Sequence, residues 1–281
     1  MLKCKVGALL YEVRQQGTGA INPKDYFKEM KVLDPTFITG VQQDSDELLK
    51  NLYPKLIEDG ASCARCKRHI AQSSSNSSDI LQNLSTIDRV FGLQLNSALI
   101  CENLATEYTI AVALSSNTIV GCLKNYFGMV ELETPAVCDL CHGRSLKWKK
   151  LSISYLPNNL IVTLNRFDFA TDNIRKILSE RKIVEQIDIN EYVHHSISTT
   201  GSNKICYNLY AVIVHKGVNC YQGHYYSYLK KSDEKWIKIS DADVQDATFK
   251  DIQSDNKDIY ILCYEIQSNI HSGINDTYCV L

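Results

Sequence analysis

The stretch GVNCYQGHYYSYLKKSDEKWIKISDADV, residues 217–244, decides the reading of the chain. Apolar and polar side chains follow a period of two on either side of a polar cluster, which predicts two strands joined by a turn. His224 follows Gly223, where backbone can approach closely, and opens the first strand. Tyr226 and Tyr228 share one face of that strand. A hairpin over 223–241 carries Ser240 and Asp241 back towards the imidazole. A histidine acting as a general base needs a partner that fixes its tautomer, and Ser240 or Asp241 can supply it. The same residues equally suit a structural histidine beside a polar turn.

Outward from this stretch, IVTLNRFDF, YNLYAVIVHKG, KWIKIS and DIYILCYE are rich in β-branched and aromatic residues. Polar or glycine turns separate them at short intervals, which predicts an antiparallel sheet from about residue 90 onward. Residues 1–59 read as helical instead. NPKDYFKEMKVL opens with Asn22 as an N-cap and Pro23 in the first turn. In QQDSDELLKNLYPKLIED, Leu48, Leu49, Leu52 and Leu56 recur at helical spacing behind an acidic first turn. Between these halves, AQSSSNSSD predicts a flexible loop. Helices followed by strands predict an α+β fold.

The 281 residues suit one large domain or two small ones, and 44% hydrophobic content is ample for a core. A net charge of −2 speaks against a broad basic surface, so neither nucleic acid nor a membrane is an expected partner. An acidic groove for a basic partner is compatible with it. No apolar stretch reaches the length of a membrane span. MLKCKVGALLYEVRQQ lacks the core and cleavage site of a signal peptide. The eleven cysteines are then expected as free thiols in a reducing compartment, cytoplasmic or nuclear. The sequons at Asn76, Asn83 and Asn275 would be idle there. In the terminal TYCVL, Cys279 stands one residue too near the end for prenylation.

Cys138 and Cys141, in VCDLCH, have the two-residue gap of a zinc knuckle, and a tetrahedral site needs a second pair. Cys101 is present upstream, but its partner position holds Leu104. Cys63 and Cys66 are separated from the sheet by the serine-rich loop. His142 or water would have to complete the set. A degenerate, unoccupied zinc site is expected, and no cofactor.

These motifs together resemble the ubiquitin-specific proteases, a family of thiol deubiquitinases. AVIVHKGVNCYQGHYYSYLKK with KWIKISDADV and DIYILCYE resembles their histidine box. TGVQQDSDELLKNL resembles their Gln-Gln-Asp helix, and LPNNLIVTLNRFDF their strand ending in Leu164, Asn165, Arg166 and Phe167. ICENL and CDLC stand where their two zinc knuckles stand. INPKDYFKEMKVL, HKGVNCYQGHY and ISDADV are most similar to the group of ubiquitin hydrolase 48. The likeness runs from about residue 8 to 266.

The resemblance implies a papain-like cysteine protease fold of thumb, fingers and palm around ubiquitin. Its expected divisions are a thumb remnant (1–59), a flexible insertion (60–87), fingers (88–150), palm (151–266) and a C-terminal tail (267–281). It implies that His224 is the catalytic histidine and that Ser240 holds the third position, with Asp241 as the following acid. Serine brings no charge to stabilise an imidazolium, and Asp241 can share the role. Asp44 and Glu47, three apart on one helix face, match acids that hold the basic tail of ubiquitin. His215 and Tyr225 match residues lining the channel to the active site. The family's Gly-Asn-Thr-Cys-Tyr box is not in the sequence, and Cys4, in KCKVG, has none of its context. Without the thiolate no acyl-enzyme forms. The expectation is a truncated protease domain lacking part of its helical thumb, inactive alone, whose parent cleaves the isopeptide bond after ubiquitin's terminal glycine. The alternative is a catalytically dead scaffold that binds ubiquitin or ubiquitinated proteins.

Overall fold

A computed structural model of the chain describes residues 30–38, 40–62, 85–98, 102–133, 148–168, 174–194, 204–232 and 235–267, with isolated positions before residue 30. They fall into two compact units, residues 1–90 with 217–223, and residues 91–216 with 224–281.

The first unit is helical where the sequence has period 3.6. Helix α1 is only Met30–Leu33. Among the described residues the helix expected from Asn22 is interrupted, since Tyr26 is helical but Lys28 lies in a turn before α1. Pro35 stops α1, because the residue before a proline is pushed out of the helical region. Asp34 then accepts from the Thr36 amide at 2.8 Å and the Thr36 hydroxyl at 2.6 Å. Helix α2 spans Ser45–Ser62. Asp44 caps it, accepting from the amides of Asp46 at 2.8 Å and Glu47 at 3.2 Å. Tyr53 and Leu56 bury its apolar side. The helix continues past Pro54, which costs it one backbone hydrogen bond. Gln42, just before α2, makes a two-way contact with Gly223 in the same unit: its amide donates to the Gly223 carbonyl and its oxygen accepts from the Gly223 amide, both at 2.7 Å. Helix α3, Thr86–Phe91, opens with a capping box in which Ser85 and Asp88 each accept from the other's amide.

In the second unit the chain first forms β1 (Leu93–Ala98), β2 (Glu102–Glu107) and β3 (Ile110–Ala113), then α4 (Ile119–Tyr126). There follow β4 (Val130–Glu131), β5 (Trp148–Tyr155), β6 (Asn159–Asn165), β7 (Phe167–Asp168), β8 (Arg175–Lys176) and β9 (Gln186–Asp188). The last run is β10 (Cys206–Asn219), β11 (Gln222–Ser232), β12 (Lys235–Ser240), β13 (Asp243–Ala247), α5 (Phe249–Ser254) and β14 (Ile259–Ile266). The large sheet has the order β13-β12-β11-β10-β14-β6-β3, with β9 on β10. A second sheet runs β2-β1-β5-β4, and β7 pairs with β8.

Strands β6 and β14 are buried at nearly every position, which is why they read as unbroken apolar runs rather than alternating ones. Strand β11, nearer the sheet edge, alternates: Tyr226 and Tyr228 are buried, while Tyr225 and Ser227 between and beside them are half-buried and Leu229 is exposed; His224, on the face of the two tyrosines, is exposed near the strand's start. Contrary to the sequence expectation, the sheet is not antiparallel throughout. Strand β3 pairs with β6 in parallel, Ile110 against Val162. The connection between them contains α4, β4 and β5, and a crossover of that length permits parallel pairing. Residues 88–150 therefore divide between two sheets. Ile110 and Val112 of β3, with Ile119 and Leu123 of α4, join the same core as Val162 and Tyr264.

Arg166 ties this sheet together. Its side chain is fully buried and donates only to carbonyls: Nη1 to Ile177 at 2.9 Å and Ser179 at 3.1 Å, Nη2 to Asn256 at 2.7 Å, and Nε to Ile259. Burial, then the nearby Arg181, pull its pKa down to about 10. Beside it, the buried Lys176 pairs with Asp258 at 2.5 Å and donates to the His215 carbonyl. Burial lowers the Lys176 pKa, and Asp258 opposes that shift.

Candidate active site

Strands β11 and β12 pair with Ser227 opposite Ile239 and Tyr228 opposite Lys238. That register sets Ser240 diagonally across from His224, on the same face. The two meet at 2.7 Å, His224 Nε2 to Ser240 Oγ. Ser240 pairs with Asp243 on the other side, so Asp241 and Ala242 form a two-residue hairpin turn. Asp241 has φ 53°, the left-handed conformation that such turns require at their first position and that aspartate tolerates. The fold therefore brings Ser240 to the imidazole and makes Asp241 an exposed turn residue.

The His224–Ser240 pair borders an open cleft of about 270 Å³, lined also by Lys216, Tyr226, Lys238, Asp243 and Gln245. Lys238 Nζ stands 4.1 Å from the centre of the Tyr226 ring, a cation–π contact. Tyr226 packs edge-on to Tyr228 at 5.9 Å. The Tyr228 hydroxyl donates to Asp255 at 2.6 Å, and Lys216 pairs with the same carboxylate at 3.3 Å. Burial acts to raise the Asp255 pKa, but the hydrogen bond from Tyr228 and the charge of Lys216 outweigh it and hold the group below its ordinary value. Burial, then the Asp255 carboxylate, push the phenol of Tyr226 upward. Tyr226 is the aromatic neighbour of the imidazole, with ring centres 6.2 Å apart. The period of β11 and β12 places Lys238 on the His224 face, so alternation could have flagged it. Asp255 follows α5 and carried no such signal.

His215, on β10, is buried. Its ring lies 4.6 Å from that of Tyr225 and 5.5 Å from that of Phe167. Its amide donates to the Asp258 carbonyl at 3.0 Å. In the helical unit, Glu47 is exposed and Asp44 half-buried at the start of α2. Partial desolvation, then Asp34 and Asp44, raise the Glu47 pKa, with Lys50 opposing. Burial, then Asp44 and Glu47, push up the thiol of the buried Cys220. Cys101, Cys138 and Cys141 lie outside the described residues, as do nearly all of the serine-rich segment and the residues after 267. Among the described residues no group of His, Cys, Asp and Glu is arranged to hold a metal ion.

With Ser240 on Nε2, Nδ1 is the ring nitrogen left to take a proton. A hydroxyl that accepts from Nε2–H fixes the tautomer with its lone pair on Nδ1. That is the state a thiol's base must have. The sheet and its histidine–hydroxyl pair define a protein of papain-like fold, in the form found in ubiquitin-specific proteases.

The family profile described as ubiquitin carboxyl-terminal hydrolase matches residues 1–264, and the chain belongs to that family. It is 26% identical to ubiquitin carboxyl-terminal hydrolase 21 of Arabidopsis thaliana over 260 residues, 90% of this chain and 34% of that protein. It is 34% identical to the human ubiquitin carboxyl-terminal hydrolase 17-like protein 11 over 127 residues, 45% of this chain and 22% of that protein. Among solved structures it resembles the Ubp8-containing SAGA DUB module bound to monoubiquitin, with a TM-score of 0.64 and 19% identity over 86% of this chain and 52% of that one. The chain thus spans about a third or less of those curated relatives and about half of that structure.

Proposed function

We propose that these residues form the histidine side of a thiol deubiquitinase, which engages ubiquitin and positions His224 as the base for a cysteine that the 281 residues do not supply in family form. The observation that carries this reading is the His224–Ser240 hydrogen bond of 2.7 Å on adjacent strands of a chain in this family. In the acylation step His224 takes the thiol proton, the thiolate attacks the carbonyl of ubiquitin's terminal glycine, and the protonated imidazole returns the proton to the departing lysine amine. Ser240 holds the ring but adds no charge to stabilise the imidazolium. Asp44 and Glu47 would attract the basic tail of ubiquitin, and His215 with Tyr225 would line its path.

The test is hydrolysis of a ubiquitin C-terminal fluorogenic ester or amide. The chain alone should bind ubiquitin without turnover. Joined to a family-type cysteine segment it should cleave, and His224→Ala should then abolish cleavage. Cleavage that survives the histidine change would sink the assignment. Asp44→Ala, or ubiquitin lacking its tail, should weaken binding. Because the Glu47 pKa is raised, its charge is lost at a higher pH than that of an ordinary glutamate. Its share of the binding should accordingly fade as the solution becomes mildly acidic. The same proposal has the three knuckle cysteines holding no stoichiometric metal, and one zinc per chain on elemental analysis would overturn that part.

A further inference from the structure

Away from His224 the second unit has another cleft, of about 500 Å³, lined by Asn117, Ser179, Glu180, Arg181, Lys182, Gln253 and Asn256. None of these residues borders the first cleft. Arg181 is only 6% exposed. Its guanidinium donates to two carbonyls, Glu180 and Leu114, both at 2.6 Å. Among the described residues its Nε–H has no acceptor and the buried hydroxyl of Ser179 has no partner. Among the described residues no carboxylate pairs with Arg181. The one acid lining the cleft, Glu180, is held by Lys257 at 3.2 Å.

A buried guanidinium is ordinarily neutralised by a carboxylate. Here the neighbouring charge has the wrong sign, since Arg166 and Arg181 repel one another. The exposed Lys182 adds a further cation. The side-chain amides of Asn117 and Asn256 add hydrogen-bond donors. Positive charge and donors converge, among the described residues no carboxylate pairs with Arg181, and phosphate oxygens accept from such a set.

We propose that this cleft binds a phosphate group, either free phosphate or the phosphoryl end of a small ester, with Arg181 and Lys182 supplying charge and Ser179 and Asn117 supplying hydrogen bonds. The cleft is larger than one phosphate ion, which leaves room for the organic part of an ester. The site owes nothing to the chemistry at His224, so its failure would leave that reading intact.

The experiment is a titration of the ¹⁵N-labelled chain at fixed ionic strength with inorganic phosphate, and in parallel with glycerol phosphate. The Arg181 Nε–H resonance is followed. It should move saturably, and Lys182→Gln should weaken binding by roughly fivefold or more. Lys182 is exposed, so that variant keeps the fold. Ser179→Ala should weaken binding less. An ester that binds about tenfold more tightly than free phosphate assigns the site to esters, and equal affinity assigns it to the free ion. An Arg181 signal that stays still in both titrations, or a Lys182→Gln chain that binds unchanged, would overturn the proposal.

Discussion

Two polar clusters of the large sheet contrast. Around Arg166 the charges are buried, and every guanidinium nitrogen has a backbone acceptor. At His224 the ring is exposed and holds a single hydrogen bond to a neutral hydroxyl. The first cluster closes the connections after β6 and before β14 onto the sheet, so its removal leaves several carbonyls without partners in a dry interior. The second contributes little to stability and keeps a nitrogen available. Polar residues that saturate one another hold a fold together, whereas polar residues left under-bonded at a surface are available for chemistry.

The largest effect that would sharpen this contrast is in activity. In the chain joined to a cysteine segment, His224→Ala should lower turnover by roughly 10²–10⁴-fold. Its unfolding free energy should stay within about 0.5 kcal/mol of the parent's. A large loss of stability would break the comparison from the exposed side. From the buried side, Arg166→Met should cost about 3–5 kcal/mol in urea unfolding, since it strands four carbonyl acceptors. A midpoint that does not move would show that the cluster is decorative. Smaller is Ser240→Ala, expected to reduce turnover by about tenfold through loss of one orienting hydrogen bond. Ser240→Asp should raise turnover, because a carboxylate stabilises the imidazolium.

Acidity separates the clusters further. The Asp255 pKa is depressed, so its carboxylate contributes stability that is present above the unfolded-state value and lost as pH falls through the folded one. Unfolding measured down the acid limb should show this loss, and Asp255→Asn should flatten it. The smallest effect belongs to α5. Thr248 and Asp251 form its capping box, and Thr248→Ala should cost about 1 kcal/mol. A near-zero cost would mean that the packing of Ile252 holds the helix alone.

The hairpin and its occupants were legible because strand alternation and turn residues are local. Two residues per period are enough to put His224, Tyr226 and Tyr228 on one face of a strand. Asp44 and the leucines of α2 were legible for the corresponding reason in a helix. The reach of α2 past Pro54 was legible too, since Leu56 keeps the helical spacing beyond the proline, and buried Tyr53 and Leu56 act against the local breaker. The parallel pairing of β3 with β6 was not, because pairing across a long crossover leaves no periodic trace.

By itself the sequence determined the family, the α+β class and which imidazole to suspect, since these rest on residue types and short-range spacing. Only the tertiary structure decided that Ser240 and not Asp241 touches His224. The choice depends on strand register and on the positive φ of a two-residue turn. Tertiary contacts likewise set Arg166 among four carbonyls and left Arg181 with no counter-charge among the described residues. Arg166 and the Ile259 carbonyl lie 93 residues apart in the chain and meet only when the sheet has closed.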